Sequence, residues 1–546
     1  MNRIKAQPIN LAPLDSAQVY HGEEIKSSYI AYLIDESNYG DGKAESLFFP
    51  KSEAEVAAIL KAMNQSSTQI TVSSGRTGIV GGAVPLGGVI LSLERMNHVL
   101  GLGFDEQKKM WYVHAEAGIN FSELSRKIEH KDFDELLTKE SATNQQILDR
   151  LLSDKVKYFL PPDPTEMTAL LGGTVATNAS GARTFKYGAM REWIRRIRVV
   201  LVNGDVLDIT RGQVTSSNDG KFEIILSDET SVEVQIPSYK MPQIKNSAGL
   251  YALPGTDLID LFIGSEGILG VITEVEVYVT QKPPNLLTIM AFLPSEDAAI
   301  GFVEDIRADA SPIKPDAIEY LDPNAVTMLR TLKNEGTIQI PSFPDNARAI
   351  IYLEVSYSDE EEEQMYNALD DFFLQHGFSM ETAWGGMEST DWQRMKDVRH
   401  AVPEKINSII AKRRREHPEL HKLGTDMAVP DEYLRTMMEF YKRKLEEKNL
   451  EYVIFGHIGD NHLHVNILPR DKKDLNTAID LYLEFAKKAV EFGGTVSAEH
   501  GIGKLKRPFL RVMYGQEGIE QIKAVKKALD PKGILNAGVM IPEQNI

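Results

Sequence analysis

The segment GHIGDNHLHVN (456–466) concentrates imidazoles in a pattern that could do chemistry. EYVIFGHIGDNHLHVNILP reads as strand, turn, strand, with Gly459-Asp460-Asn461 supplying the turn. The period of two then puts His462, His464 and Asn466 on one face of the outgoing strand. His457 ends the incoming strand and reaches the same place across the turn. Further on, SAEHGIGKLKR (497–507) sets Glu499 beside His500, at the end of a short strand spanning 493–496. Two imidazoles and a carboxylate suit a divalent cation with positions left open. Such a cation lowers the pKa of a coordinated hydroxyl and fixes its orientation. A hairpin with three histidines could equally be a polar rim; the adjacent Glu499-His500 pair favours chemistry.

Three glycine-rich stretches are the second candidate. They are SSGRTGIVGG (73–82), LGGTVATNASG (171–181) followed by Tyr187-Gly188, and GSEGILG (264–270). Successive backbone N–H groups in such loops can converge on an anion, and glycine is needed where φ is positive or backbone approaches a phosphate. Each loop alone could be a set of tight turns. Together, each beside a strand, they suggest one long ligand held by backbone from several directions, and a side chain at Gly78 or Gly172 would intrude on its path. Neither G-x-G-x-x-G nor G-x-x-x-x-G-K-[ST] occurs, so a Rossmann site and a P-loop are unsupported.

Composition narrows the options. The 546 residues can bury two or three cores, because single cores rarely grow past roughly 250–300 residues. Lys and Arg number 60 against 79 Asp and Glu, a net charge of -19 that argues against nucleic acid. Cysteine is absent, which excludes disulfides, cysteine-ligated iron–sulfur clusters and cysteinyl flavin links. No signal-peptide pattern opens the sequence and no apolar run reaches membrane-spanning length. The expectation is a cytoplasmic protein. Lys412-Arg413-Arg414-Arg415 is read as a solvated helix end, with an acidic partner or anionic lipid as the alternative, which would place the chain peripherally at the inner face of a membrane.

The elements that must position these residues follow from periodicity. Residues 46–93 read as strand–helix–strand, with Ser52 and Glu55 as a capping box and Val56, Ile59, Leu60 and Met63 as the helix stripe. Strands are expected at 69–73, 89–93 and 111–118, and one charged helical stretch over about 120–157, ended by the prolines of YFLPPDPTE. IRVVLVNGDVLDI forms a hairpin around Asn203-Gly204, 211–245 is a polar excursion, and Pro283-Pro284 mark a boundary. Beyond it strands alternate with helices such as 430–448 and 472–492, and 501–546 adds one more helix.

SSGRTGIVGGAVPLGGVILSLERMN, PPDPTEMTALLGGTVATNASGARTFKYGAMREWI and DLFIGSEGILGVITE resemble the FAD-binding half of the vanillyl-alcohol oxidase/p-cresol methylhydroxylase (PCMH) superfamily. The branch is that of the D-lactate dehydrogenase, glycolate oxidase flavin subunit and D-2-hydroxyglutarate dehydrogenase. The resemblance implies an α+β chain: an N-terminal extension (1–44), a PCMH-type two-subdomain FAD-binding domain (45–282), an α+β substrate or cap domain with an antiparallel sheet (283–500), and a C-terminal segment (501–546) packing back near the flavin. It implies FAD contacts at Ser74, Gly75, Arg76, Thr77, Gly78 and Gly82, then at Pro162, Asp163, Gly172, Thr177, Asn178, Ser180, Gly181 and Tyr187, and lastly at Glu266, Gly267, Gly270 and Ile272. With no histidine in the first loop and no cysteine anywhere, FAD should be held non-covalently.

GHIGDNHLHVN followed by AEHGIG resembles the metal and base motifs of the same branch. The resemblance implies that His457, His464 and Glu499 hold a divalent metal, usually taken to be zinc. His500 becomes the base for the substrate hydroxyl, Asn466 a substrate contact, and Arg399 in WQRMKDVRHAV the carboxylate-binding arginine. Lys422 is a weaker candidate. Asn461 and His462 stand where the family has glycine and asparagine, which leaves His462 without an assigned role. The activity implied is oxidation of a D-2-hydroxy acid, D-lactate foremost, with D-2-hydroxyglutarate and glycolate as alternatives. Electrons would pass to a cytochrome, quinone, electron-transfer flavoprotein or iron–sulfur subunit. Rival readings are an oxidase using O2, a transferase resembling alkylglycerone-phosphate synthase, and a non-catalytic flavin subunit.

Overall fold

A computed structural model describes residues 2–37, 39–136, 142–338, 340 and 342–542. Residues 18–21 and the chain between 46 and 92 build a small sheet in the order Gln18–His21, Ser46–Phe49, Val89–Ser92, Ile70–Ser73, in which the last three strands run parallel. Its connecting helix, Glu53–Ser66, starts where the Ser52 side chain accepts the Glu55 N–H, and stops at Ser67, whose φ of 58° is left-handed. Val56, Ile59 and Leu60 are buried beneath the sheet, as the 3.6-residue spacing requires.

The second sheet is antiparallel around Val271–Gln281, flanked on one side by Ile194–Val200 and Val206–Thr210 and on the other by Met110–Glu116 and Val99–Asp105. The third has eight strands, ordered Trp384–Gly386, Asn285–Leu293, Ala349–Tyr357, Ala317–Leu321, Tyr452–His457, His462–Ile467 and Leu423–Gly424, with Met427–Ala428 also on His462–Ile467. All its pairings are antiparallel. The architecture is the expected α+β one, with three sheets in the glycine-loop half and a separate antiparallel sheet beyond residue 284.

Three local expectations need correction. Residues 120–157 are not one helix: Phe121–His130 ends at left-handed Lys131, and Ala142–Ser153 follows a short turn at Asp134–Leu136. Buried Phe133 and Leu136 pull that turn onto the antiparallel core; residues 137–141 lie outside the described ones. The segment 211–245 is no mere excursion, because Lys221–Ile225 and Ser231–Gln235 pair as a hairpin that Arg3–Lys5 extends in parallel. Its signal was the alternation of buried Phe222, Ile224 and Val234 with Lys221, Glu223, Glu233 and Gln235. Residues 493–496 make no strand; Thr495 forms only an isolated bridge to Ala428.

The segment after the long C-terminal helix, Arg507–Leu529, returns to the first sheet. Ile534 accepts the Ile70 N–H, Asn536 donates its N–H to the Ile70 carbonyl, and the Asn536 side chain accepts from Val72 and donates to the Glu266 carbonyl. One asparagine thus ties the first and third glycine loops to the chain's end.

A buried carboxyl caps the helix behind the eight-stranded sheet. Asp322 accepts the Ala325 N–H at 2.8 Å, and burial pushes it up to about 7. A carboxyl raised by folding contributes stability below its unfolded pKa and loses it as pH rises through the folded value. Asp322→Asn keeps the cap acceptor without the charge. Between pH 4 and 8 the variant should therefore gain on the wild type by on the order of 2–4 kcal/mol in urea unfolding; parallel stability profiles would contradict this.

Candidate metal centre and flavin cradle

The hairpin register His457↔His462 and Phe455↔His464 brings three imidazoles to one point. His457, His462, His464 and Glu499 each offer a ligand atom within 4.8 Å of one another. His457 and His464 each have one nitrogen committed outward, and His462 has one close to a carboxylate. His457 Nδ1 lies 2.7 Å from Glu319 Oε1, and His464 Nδ1 lies 2.9 Å from the Thr425 carbonyl, which fixes its proton there and leaves Nε2 as an acceptor. His462 Nε2 lies 2.8 Å from Asp426 Oδ1. Outer carboxylates and carbonyls of this kind orient metal-binding imidazoles.

Glu499 sits at the centre. Its carboxylate is 3.3 Å from His457 Nε2, 3.6 Å from His462 Nδ1 and 3.4 Å from Lys245 Nζ. Burial alone would raise it, but Lys245 and the imidazoles hold it well below the ordinary range. Flanked by Glu499 and Glu319, His457 is raised to about 9 against its own burial. Burial would also raise Glu319, yet Arg399 and His457 bring it down to about 2.

His500 stacks on His464 with centroids 5.4 Å apart, its Nδ1 3.3 Å from Asp426 Oδ2. Burial lowers it to about 4, only partly offset by Asp426, so the ring is neutral near pH 7. Asp426 is the buried hub of this side. It accepts the backbone N–H groups of Glu499 and His500 and the Ser497 hydroxyl, and pairs with Lys506. With its oxygens so engaged, Asp426 acts on its neighbours' placement, although Asp426, His464 and His500 also lie within ligand distance of one another.

Arg399 projects from the helix Ser389–Arg413 and binds Glu319 Oε1 through Nη2 at 2.6 Å. Its Nε is buried without a partner among the described residues. Glu319 therefore bridges the arginine to His457. Asn466 is buried on the same strand as His464 and donates to the His464 carbonyl. Lys422 is exposed, one residue before the strand that pairs with Asn466. Of the basic run, Arg413 is half-buried on Glu451 and the Leu468 carbonyl, while Lys412, Arg414 and Arg415 are exposed.

The glycine loops meet this centre. Backbone N–H groups from Gly75 to Gly82 donate to no acceptor among the described residues, an array suited to an anion. Arg76, at φ 59°, stacks on Tyr32, and Ser74 lies under Gly173. A Cβ on Gly78 or Gly82 would meet nothing within 4 Å, so these two leave open space. Gly172 is different: its Cβ would lie 2.6 Å from that of Ala117. Gly172, like Gly181 against the Asp163 carbonyl and Gly270 against Val199, is small in order to pack on protein. The expected intrusion of a Gly172 side chain on a ligand path is corrected accordingly.

The remaining loop residues are structural links in this geometry. Asp163 accepts the Arg183 N–H and is pushed up to about 6 by burial, Thr177 donates to the Gly173 carbonyl, and the Asn178 side chain accepts from Arg191. Ser180 lies 3.5 Å from Glu499, and Lys245 donates to the Gly181 carbonyl. Tyr187 donates to Asp316 across the join to the eight-stranded sheet. Glu266 accepts the N–H groups of Ile502 and Gly503, just after His500; Gly267 holds φ 71° against Asn536, and Ile272 is buried in the strand behind. The first loop is joined too, because Lys504 donates to the carbonyls of Gly81 and Gly82.

Sequence reasoning missed Glu319, Asp426 and Lys245, and left His462 without a place. Glu319 had a signal, a charge inside the wholly buried strand Ala317–Leu321. Asp426 stood in the LGTDMAVP stretch that had been read only for Lys422. Lys245 lay in the polar segment and carried no local signal.

Comparisons with known proteins bear on the two halves of the chain. Residues 282–540 match the family described as FAD linked oxidases, C-terminal domain, and residues 44–134 and 128–210 match an FAD binding domain. The chain is 28% identical to the D-lactate dehydrogenase of Anaerostipes hadrus, covering 92% of this chain and 90% of that one. It is 25% identical to the glycolate oxidase subunit GlcD of Bacillus subtilis (strain 168), over 95% and 93%. The D-2-hydroxyglutarate dehydrogenase of Stutzerimonas stutzeri (strain A1501) is also 25% identical, over 90% of each. Among solved structures, a 4-ethylphenol oxidase from Gulosibacter chungangensis superposes with a TM-score of 0.63 at 18% identity, covering 98% of this chain and 99% of that one. An alkyldihydroxyacetonephosphate synthase gives 0.58 at 16%, over 97% and 88%. These two likenesses carry the fold. An FAD binding domain followed by an FAD linked oxidase C-terminal domain accounts for most of the sequence, and the chain belongs to the FAD-linked oxidase family of the PCMH-type fold.

Proposed function

We propose that the chain is an FAD-dependent dehydrogenase that oxidises a D-2-hydroxy acid, D-lactate foremost, to the 2-oxo acid and delivers the electrons to an external acceptor. The observation that carries this reading is the convergence of Arg399, a His/Glu cation site and neutral His500 where the three glycine loops meet. D-lactate is favoured over D-2-hydroxyglutarate because its small methyl group needs no second cation; glycolate, which needs none either, is the alternative.

When bound, FAD supplies the acceptor for the substrate's Cα hydride, and a divalent cation, zinc on this reading, supplies polarisation of the 2-hydroxyl. The protein groups do the rest. His457, His464 and Glu499 hold the cation. Arg399, with Nε free and Nη2 braced on Glu319, fixes the carboxylate. Asn466 contacts the bound acid. His500 takes the hydroxyl proton, its ring held by Asp426 and its neutrality kept by burial. The Gly75–Gly82 N–H array takes the pyrophosphate, and the second and third loop residues line the remainder of a non-covalently held FAD.

Three fixed points make the site chiral. D-lactate should reduce the flavin at least ~100-fold faster than L-lactate, a difference of ~2.7 kcal/mol. Arg399→Lys should lose most activity despite its charge, since the fork that spans Glu319 and a carboxylate is gone. Equal rates with the two enantiomers, or an active Arg399→Ala, would overturn the reading.

The cofactor mode has its own test. Acid precipitation should release all the yellow colour as FAD, and flavin retained in the pellet would contradict non-covalent binding. Gly78→Val should lower FAD retention with little change in folding of the apoprotein, whereas Gly172→Val should destabilise the fold itself. Thermal melts beside flavin content separate the two, and identical behaviour would refute the distinction.

A further inference from the structure

Resting on the cation site just proposed, we infer that His462 is a further protein ligand, so that the centre is built of three imidazoles and one carboxylate. This chain has histidine where the family it resembles has asparagine, and the substitution falls inside the ligand cluster. His462 is fully buried. Neither ring nitrogen makes an aligned hydrogen bond among the described residues: Nε2 lies 2.8 Å from Asp426 Oδ1, and Nδ1 faces Glu499 Oε2 at 3.6 Å. A buried imidazole serving only the core would turn its second nitrogen to a donor or acceptor. This one turns it to the carboxylate that His457 Nε2 also faces.

The outer shell repeats the same logic three times. Glu319 backs His457, the Thr425 carbonyl backs His464, and Asp426 backs His462. Asp426 is itself immobilised by Ser497, Lys506 and two backbone N–H groups. A carboxylate fixed behind a histidine sets the ring's tautomer and raises its basicity as a ligand. The centre would then be nitrogen-rich, preferring Zn2+ and its late first-row neighbours over Mn2+ or Mg2+.

The test uses the whole protein stripped with a chelator and titrated with Zn2+ against a chromophoric competitor, beside zinc-edge X-ray absorption. Wild type should show three imidazoles on zinc. His462→Asn, which restores the residue of the resembled family, should show two, and its Zn2+ affinity should fall at least ~10-fold. Two imidazoles in the wild type, or equal affinities in both proteins, would overturn the inference while leaving the cation site standing. A wild type that takes up no stoichiometric Zn2+, Co2+ or Mn2+ would instead remove the cation site itself. Should His462→Asn fail to fold, the wild-type spectrum decides alone.

Discussion

The structure depends on keeping one buried carboxylate, Glu499, ionised. Taking a carboxylate out of water is expensive unless opposite charge and hydrogen bonds replace its solvation. Here the compensation is gathered from distant parts of the chain. Lys245 comes from the polar segment of the flavin half, His457 and His462 from the eight-stranded sheet, and Ser180 from the second glycine loop. Each half of the molecule supplies groups that the other half must meet.

The same constraint explains the secondary contacts. Arg399 and His457 would crowd each other without Glu319 between them, and Glu319 would be an unpaired buried charge without both. Asp426 plays the matching role on the other side, where Lys506, His462 and His500 surround it. The segment 497–506 carries Glu499 and His500 and is gripped by Glu266 of the third loop, while its Lys504 grips the first. His500, the His/Glu cluster and the glycine loops are therefore fixed relative to one another by short covalent and hydrogen-bonded paths. Such short paths limit the misplacement to which proximity effects are sensitive.

What was legible in the sequence was whatever repeats locally. Period-two alternation gave the histidine hairpin, glycine spacing gave the three loops, and Ser52 with the stripe behind it gave the first helix. Lys131 shows why the charged stretch was misread: a left-handed helix end without glycine leaves little trace in composition. Glu319, Asp426 and Lys245 were illegible for another reason, since their meaning lies in partners far along the chain. Glu319, for instance, sits 138 positions from His457. Gly172 looked like a ligand-facing glycine because pattern cannot separate backbone-to-ligand from backbone-to-protein approach, and only the position of Ala117 does so.

On the proposed reading His500, held by Asp426 beside the His/Glu cluster, takes the substrate's hydroxyl proton as the flavin is reduced. The direct measurement is anaerobic rapid mixing of D-lactate, unlabelled and deuterated at C2, with wild type and His500→Ala, each assayed for FAD and bound metal. Wild type should reduce its flavin with a primary isotope effect, and His500→Ala should keep both cofactors while slowing by about 10²–10⁴. Reduction of His500→Ala at the wild-type rate, or a wild-type flavin that no 2-hydroxy acid reduces, would contradict the account.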